Sequence, residues 1–152
     1  MRTRWMLCGP IVLLLCGCTL LAPVDVAGTW VGELVWVPDD PMAGFSSSLS
    51  LTLQQSNVEI SGTIGLAGPG ATIILVPITT GRARISGMEI NCTETVQVAG
   101  SPQFIELSLD GDRSGDELRG TGQQTVAGET HQFEWSVRLS APPPEPSEHA
   151  VP

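Results

Sequence analysis

The chain has 152 residues, a net charge of −9 and no lysine, with 16 acidic residues against 7 basic ones, all arginine. An acidic body without clustered basic side chains excludes recognition of a phosphate backbone, and with it nucleic acid as a partner. The same charge excludes direct adhesion to anionic lipid headgroups.

The first segment is built for export. Arg2 and Arg4 precede an apolar run from Leu7 to Leu15, and Gly17 is a small residue of the kind a signal peptidase accepts. Leu15-Cys16-Gly17-Cys18 resembles the lipobox of bacterial lipoproteins. The resemblance implies that residues 1–17 are a lipoprotein signal peptide and that Cys18 is the lipidation site. Carrying diacylglycerol and fatty acids such as palmitate, Cys18 would anchor the chain to the membrane as its first mature residue. Cys8 lies too early in the run, and Cys16 follows the bulky Leu15. Thr19, rather than aspartate, follows Cys18, which implies sorting to the outer membrane, facing the periplasm, in a Gram-negative cell. Three other readings stay open. Trp5 to Ala22 is free of charge and 18 residues long, the lower limit for a membrane span, though Gly9, Pro10 and Gly17 interrupt it. It also reads as a secretory signal cut after Ala22, or as a buried helix. Cleavage before Cys18 leaves 135 residues with a net charge of −11, enough for one domain with its own core. Cys92 is then the one free thiol, so no disulfide forms within the chain.

Residues 18–27 read as a lipidated tether, broken by Pro23 and Asp25. Residues 28–140 read as a β domain. Leu49, Leu51 and Leu53 alternate with Ser48, Ser50, Thr52 and Gln54, and Val58, Ile60 and Ile64 alternate with Glu59, Ser61 and Thr63. Further on, Ile105, Leu107 and Leu109 alternate with Glu106 and Ser108, and Phe133, Trp135, Val137 and Leu139 with polar residues. A period of two gives each strand one dry and one wet face. Turn signals recur at Gly68-Pro69-Gly70, Gly81, Gly100, Gly111 to Gly115 and Gly128. The fold class predicted is all-β, an up-and-down antiparallel β-barrel of about eight strands. Eight or nine strands are predicted, near 29–37, 47–54, 57–66, 71–79, 82–90, 92–99, 103–110, 117–126 and 131–140. Two of the middle pieces could form one bent strand. Pro77 cannot donate to a ladder, which places an edge, a bulge or a strand end there. Residues 141–152 hold five prolines with Glu145 and Glu148, and read as a disordered acidic tail.

Gly28-Thr29-Trp30, the Ser61-Gly62-Thr63 and Arg119-Gly120-Thr121-Gly122 pieces, and the closing Trp135-Ser136-Val137-Arg138-Leu139 resemble lipocalins and avidin-like barrels. The resemblance implies that Trp30 closes one barrel end beneath an arginine of the last strand, Arg138. Closure of the sheet also sets Trp30 and Trp135 beside the seam between the first and last strands. The polar pocket residues of avidins have no counterparts here.

Residues that could carry chemistry are sparse. Asp110, Asp112, Ser114 and Gly115 match the first half of a calcium loop, with Asp116 beside them, but Thr121 stands where the closing glutamate belongs and Arg113 adds an opposing charge. The plainer reading is a polar hairpin turn. His131 and His149 lack the clustered partners of a zinc site or a catalytic triad. Cys92, with Glu89 and Glu94 nearby, reads as an inert buried thiol. No cofactor, metal or enzymatic activity is expected. The leading expectation is an envelope lipoprotein whose barrel binds an apolar small molecule or another envelope component. The alternative is a structural or protease-inhibitor-like module that binds proteins. An apolar cavity would favour the first, and a filled barrel with apolar loop tips the second.

Overall fold

A computed structural model describes residues 22–68, 73–98 and 100–141. Cys18 with the predicted signal segment 1–17, and residues 142–152 of the predicted tail with His149, lie outside the described residues; Ala141, predicted to open that tail, instead ends the last strand. Nine strands follow in chain order: β1 (Gly28–Trp36), β2 (Ser46–Ser56), β3 (Glu59–Ala67), β4 (Ile74–Pro77), β5 (Thr80–Ala83), β6 (Gly87–Val98), β7 (Ser101–Ser114), β8 (Glu117–Val126) and β9 (Glu129–Ala141). Among the described residues there is no helix, and so none long and apolar enough to cross a membrane.

Every strand pairs antiparallel with its neighbours, and β1 pairs with both β2 and β9. The sheet is therefore a closed barrel, which removes the outermost edges. It has eight positions, one of them shared by two short strands. β4 and β5 both pair with β3: Leu66 opposes Ile74 and Thr63 opposes Pro77, whereas Glu59 opposes Arg82. The register slips by one residue between them, so they form one strand broken by a bulge at 78–79. The sequence predicted a break near Pro77. It also predicted separate strands near 82–90 and 92–99, and these are corrected: β6 runs unbroken from Gly87, and Arg84 to Ser86 form the turn before it. The predicted turn at Gly111 to Gly115 is likewise shorter than expected. β7 continues to Ser114, and Gly115 (φ 63°) and Asp116 alone make the hairpin to β8. Glycine at the first central position is what a type II′ turn needs.

The interior is built in rows that follow the register. One row runs Leu139, Trp30, Leu51, Ile64, Val76 across β9, β1, β2, β3 and β4. Two others set a large aromatic against glycines on the next strands. Trp135 opposes Gly120, which opposes Gly111, and a Cβ on Gly111 would stand 2.4 Å from the Trp135 ring. Phe133 opposes Gly122, where a Cβ would stand 2.5 Å from the phenyl ring. Each ring lies against backbone positions of the next strands that carry no side chain. The core so formed contains no buried polar or charged residue among those described.

Trp30 and Trp135 lie on paired strands, and both are buried. They occupy different layers, however. Trp30 opposes Leu139, while Trp135 opposes Leu34, four residues further along β1 and so about 13 Å away.

Candidate functional site

The strands run between two unlike ends. The lower end carries the turns at 57–58, 84–86 and 115–116, and the chain enters and leaves the barrel there. The upper end carries the loop 37–45, the turn at 127–128, and the described residues Gly68, Ile73 and Gly100 at the ends of β3, β4 and β7.

The lower end is plugged. Val24 N–H donates to Arg84 O at 2.8 Å, and Val26 N–H to Gln55 Oε1 at 2.8 Å. Gln55 Nε2 donates to the carbonyls of Val24 and Asn57. Val26 is fully buried, and its carbonyl accepts from the Trp30 indole N–H at 2.9 Å. Residues 24–27, predicted to belong to the tether, thus pack as a stopper of the barrel. Arg113 completes it. Its guanidinium lies 5.3 Å from the Trp30 ring centroid and donates to the carbonyls of Asp25 and Gly115. This corrects the expectation that Arg138 covers Trp30. Arg138 points outward and is exposed, because inward positions on β9 are the odd ones. Arg113 occupies an inward position on β7, the strand the sequence had ended at Asp110. The missed signal was its place in the odd-numbered series Ile105, Leu107, Leu109, Gly111.

Asp110 and Asp112 sit on the outer face of β7. Asp110 receives a two-pronged ion pair from Arg84 at 2.7 and 2.8 Å, which holds the guanidinium above its ordinary pKa. Asp112 accepts from Ser86 Oγ at 2.7 Å, and Asp116 stands in the turn. The candidate calcium ligands are thus spread over a strand and a turn. Among the described residues, no group of three or more metal-ligating side chains comes together. Cys92 faces inward, and burial pushes its thiol up to about 11, which keeps it protonated and unreactive.

Among the described residues, the loop 37–45 covers one side of the upper end. Residues 37–45 fold as three successive turns, closed by Asp40 N–H to Val37 O, Ala43 N–H to Asp40 O and Phe45 N–H to Met42 O. Asp40 latches this loop to β9. Its carboxylate, 5% exposed, meets His131 Nδ1 at 3.0 Å and accepts from Met42 N–H and Gln132 N–H. Burial alone would raise the Asp40 carboxyl. The hydrogen bonds from Met42, His131 and Gln132 outweigh it and leave the group below its usual range. Under the loop, Trp36 packs edge-on against His131 and Phe133, with centroids 5.8 and 5.4 Å away. Its indole N–H is buried and makes no hydrogen bond.

Away from the loop, β4 and β6 approach each other, but no ladder joins them among the described residues. β5 pairs with β6 over residues 80–83, whereas β4 pairs there with β3 alone, and β6 above Asn91 with β7 alone. The outer surface of this part of the wall is apolar: Ile73 is 62%, Leu75 65% and Phe104 53% exposed. Met42 and Phe45 are exposed on the loop above β1 and β2. The lower end exposes two large apolar side chains, Val58 and Ile85. The surface clefts lie on the outer wall and are lined largely by outward-facing residues such as Glu33, Ser48 and Ser136, or Glu89, Asn91 and Thr121.

Compared with known proteins, the chain matches no family model, no curated protein and no solved structure.

Proposed function

We propose that this chain is a non-enzymatic bacterial envelope protein, anchored through Cys18, whose barrel is a protein-binding module. The observation that carries the reading is the filled interior. Trp30, Trp135 and Phe133 are large, buried, inward-facing side chains in the interior that a carrier of apolar ligands would leave open. Met42, Phe45, Ile73 and Phe104, exposed at the upper end, are apolar tips of the kind that protein contacts bury. The lipid anchor rests on the lipobox-like residues Leu15 to Cys18. Residues 24–27 enter at the lower end, so an anchor at Cys18 would leave the upper end facing away from the membrane.

One observation favours a second reading, a small ligand held beneath the loop 37–45. The Trp36 N–H is a buried donor lacking an acceptor, which a ligand carbonyl or carboxylate would supply.

Native mass spectrometry of the protein extracted from its own membrane separates the two. A polypeptide partner on an acylated chain is the expected result. A stoichiometric small-molecule adduct with no polypeptide would overturn the protein-binding reading. Cys18→Ala should yield a precursor that takes up no radiolabelled fatty acid, and labelling equal to that of the unaltered chain would remove the anchor.

A further inference from the structure

We propose that the lower end of the barrel seats on the lipid headgroups of the membrane that holds the chain, with Val58 and Ile85 entering the interface. The inference rests on the anchor at Cys18 and adds a second contact, between the folded domain and the lipid surface.

The path of the chain sets the distance. Val24 N–H is pinned to Arg84 O at the lower end. Cys18 lies six residues earlier, so a lipid-bearing Cys18 stands within about 20 Å of Val24 even on a fully extended chain. The 13 residues of β9 span about 40 Å, so the tether keeps the lower end, and not the upper, at the surface. So short a tether acts as a high effective concentration, and a weak contact then suffices to seat the domain. Thr19 to Val24 contains no charged residue, which suits the linking chain itself to the interface.

The apolar tips lie together. Ala83 N–H donates to Val58 O at 2.7 Å, which sets the turn 84–86 beside the turn 57–58. Val58 is 39% and Ile85 62% exposed. The closure behind them tolerates a drier surrounding, because unpaired polar groups are what lipid penalises. Val24 N–H, Val26 N–H, the Gln55 amide and the Trp30 indole all have partners.

Charge fixes which way the barrel faces. All five arginines among residues 22–141 lie toward the lower end. Arg84 is in its turn, and Arg113 and Arg119 flank the hairpin at 115–116. Arg82 opposes Glu59 beside the turn 57–58, and Arg138 opposes Glu117. Toward the upper end stand Asp39, Asp40, Glu94, Glu106 and Glu129, with no arginine or lysine. Headgroup phosphates attract guanidinium groups and repel carboxylates. With a net charge of −9, the chain suits a zwitterionic surface and not an anionic one.

The test uses the acylated protein in vesicles of phosphatidylcholine and phosphatidylethanolamine. A nitroxide is attached to Val58→Cys or, separately, to Phe45→Cys at the upper end; Cys92 is buried and leaves the introduced thiol to take the label. On vesicles, the label at position 58 should lose collisions with a water-soluble nickel chelate and gain collisions with oxygen. The label at position 45 should keep its aqueous signature. Adding Ile85→Glu, a change in an exposed turn, should lower the ratio of seated to free barrel by about tenfold with an unchanged far-ultraviolet spectrum. Equal nickel accessibility at positions 58 and 45 on vesicles bearing acylated protein would overturn the seat and leave the anchor standing. A lipid signature at position 45 alone would overturn it too, with the opposite orientation. A chain that carries no acyl group in its own membrane would remove the anchor, and the seat with it.

Discussion

The two ends of this barrel have solved the same problem in different ways. At the lower end, every polar group drawn into the closure has a partner: the Trp30 indole meets Val26 O, both ends of the Gln55 amide are used, and Arg113 spans a ring and two carbonyls. At the upper end, among the described residues, the Trp36 N–H is unpaired, the loop 37–45 is held by the Asp40 carboxylate, and no ladder joins β4 to β6. Unmade hydrogen bonds and exposed apolar surface cost stability, so natural folds concentrate them where something else binds. The contrast places the better-satisfied closure at the lower end, and it is what motivates proposing the upper end for recognition.

The largest expected effect breaks the lower end. Trp30→Ala should cost about 3–5 kcal/mol in chemical denaturation, as truncation of a fully buried aromatic does. A loss below about 1 kcal/mol would show that the stopper is not part of the cooperative fold. A paired substitution sharpens the comparison. Trp30→Phe strands a buried carbonyl and should cost about 1–3 kcal/mol, whereas Trp36→Phe removes an unpaired donor and should fall within about 0.5 kcal/mol of the parent. Equal losses would mean that both indoles are matched. Between the ends, Gly122→Ala drives a Cβ into the Phe133 ring and should cost about 1–3 kcal/mol.

How far these features were legible from the sequence depends on what each one needed. The period of two in residues 49–64 and 103–139 gave the strands, and closure followed from the lack of any protected edge. Trp30 was readable as an end-closing residue because Gly-x-Trp is local. Its partner was not, because inward facing at Arg113 depends on where β7 ends. That strand end was hidden by a run of glycine and aspartate that reads as a turn. The missing ladder between β4 and β6 was invisible for a similar reason. Pro77 signals a break, but which neighbour β4 loses is a property of the closed register. The loop latch is likewise a contact between residues 40 and 131, which no local pattern joins.

Smaller effects separate the ends further. Cys92 lies in the interior with its thiol raised to about 11, so folding favours the protonated form. Stability should be constant below about pH 8.5, decline as pH rises from there, and lose this contribution entirely above pH 11. Cys92→Ala should abolish that alkaline decline, and a variant that kept it would place the titrating group elsewhere. Ala127, in the β8–β9 turn, has φ 52° beside Gly128 at 87°. Ala127→Asn supplies the Asn-Gly pair that a type I′ turn prefers and should stabilise the barrel by about 0.5–1 kcal/mol. Asp40, depressed below its ordinary value, holds the upper loop only while ionised. As pH falls below the ordinary carboxylate range, amides of residues 40–45 should lose exchange protection before the lower end does. Asp40→Asn should show the same local loss at neutral pH. Simultaneous loss at both ends would merge them into one unit.

The central claim is that the lower end is sealed while no ladder joins β4 to β6 towards the upper end. Amide-resolved hydrogen exchange of the free protein tests it directly. Val24 and Val26 should exchange slowly. On β4 and β6, protection should alternate: slow at Val76 and Val96, which face β3 and β7, and fast at Leu75 and Gln97, which face away from them. Protection of Leu75 and Gln97 equal to that of Val76 and Val96 would mean that a ladder joins the two strands, and the contrast between the two ends would fail.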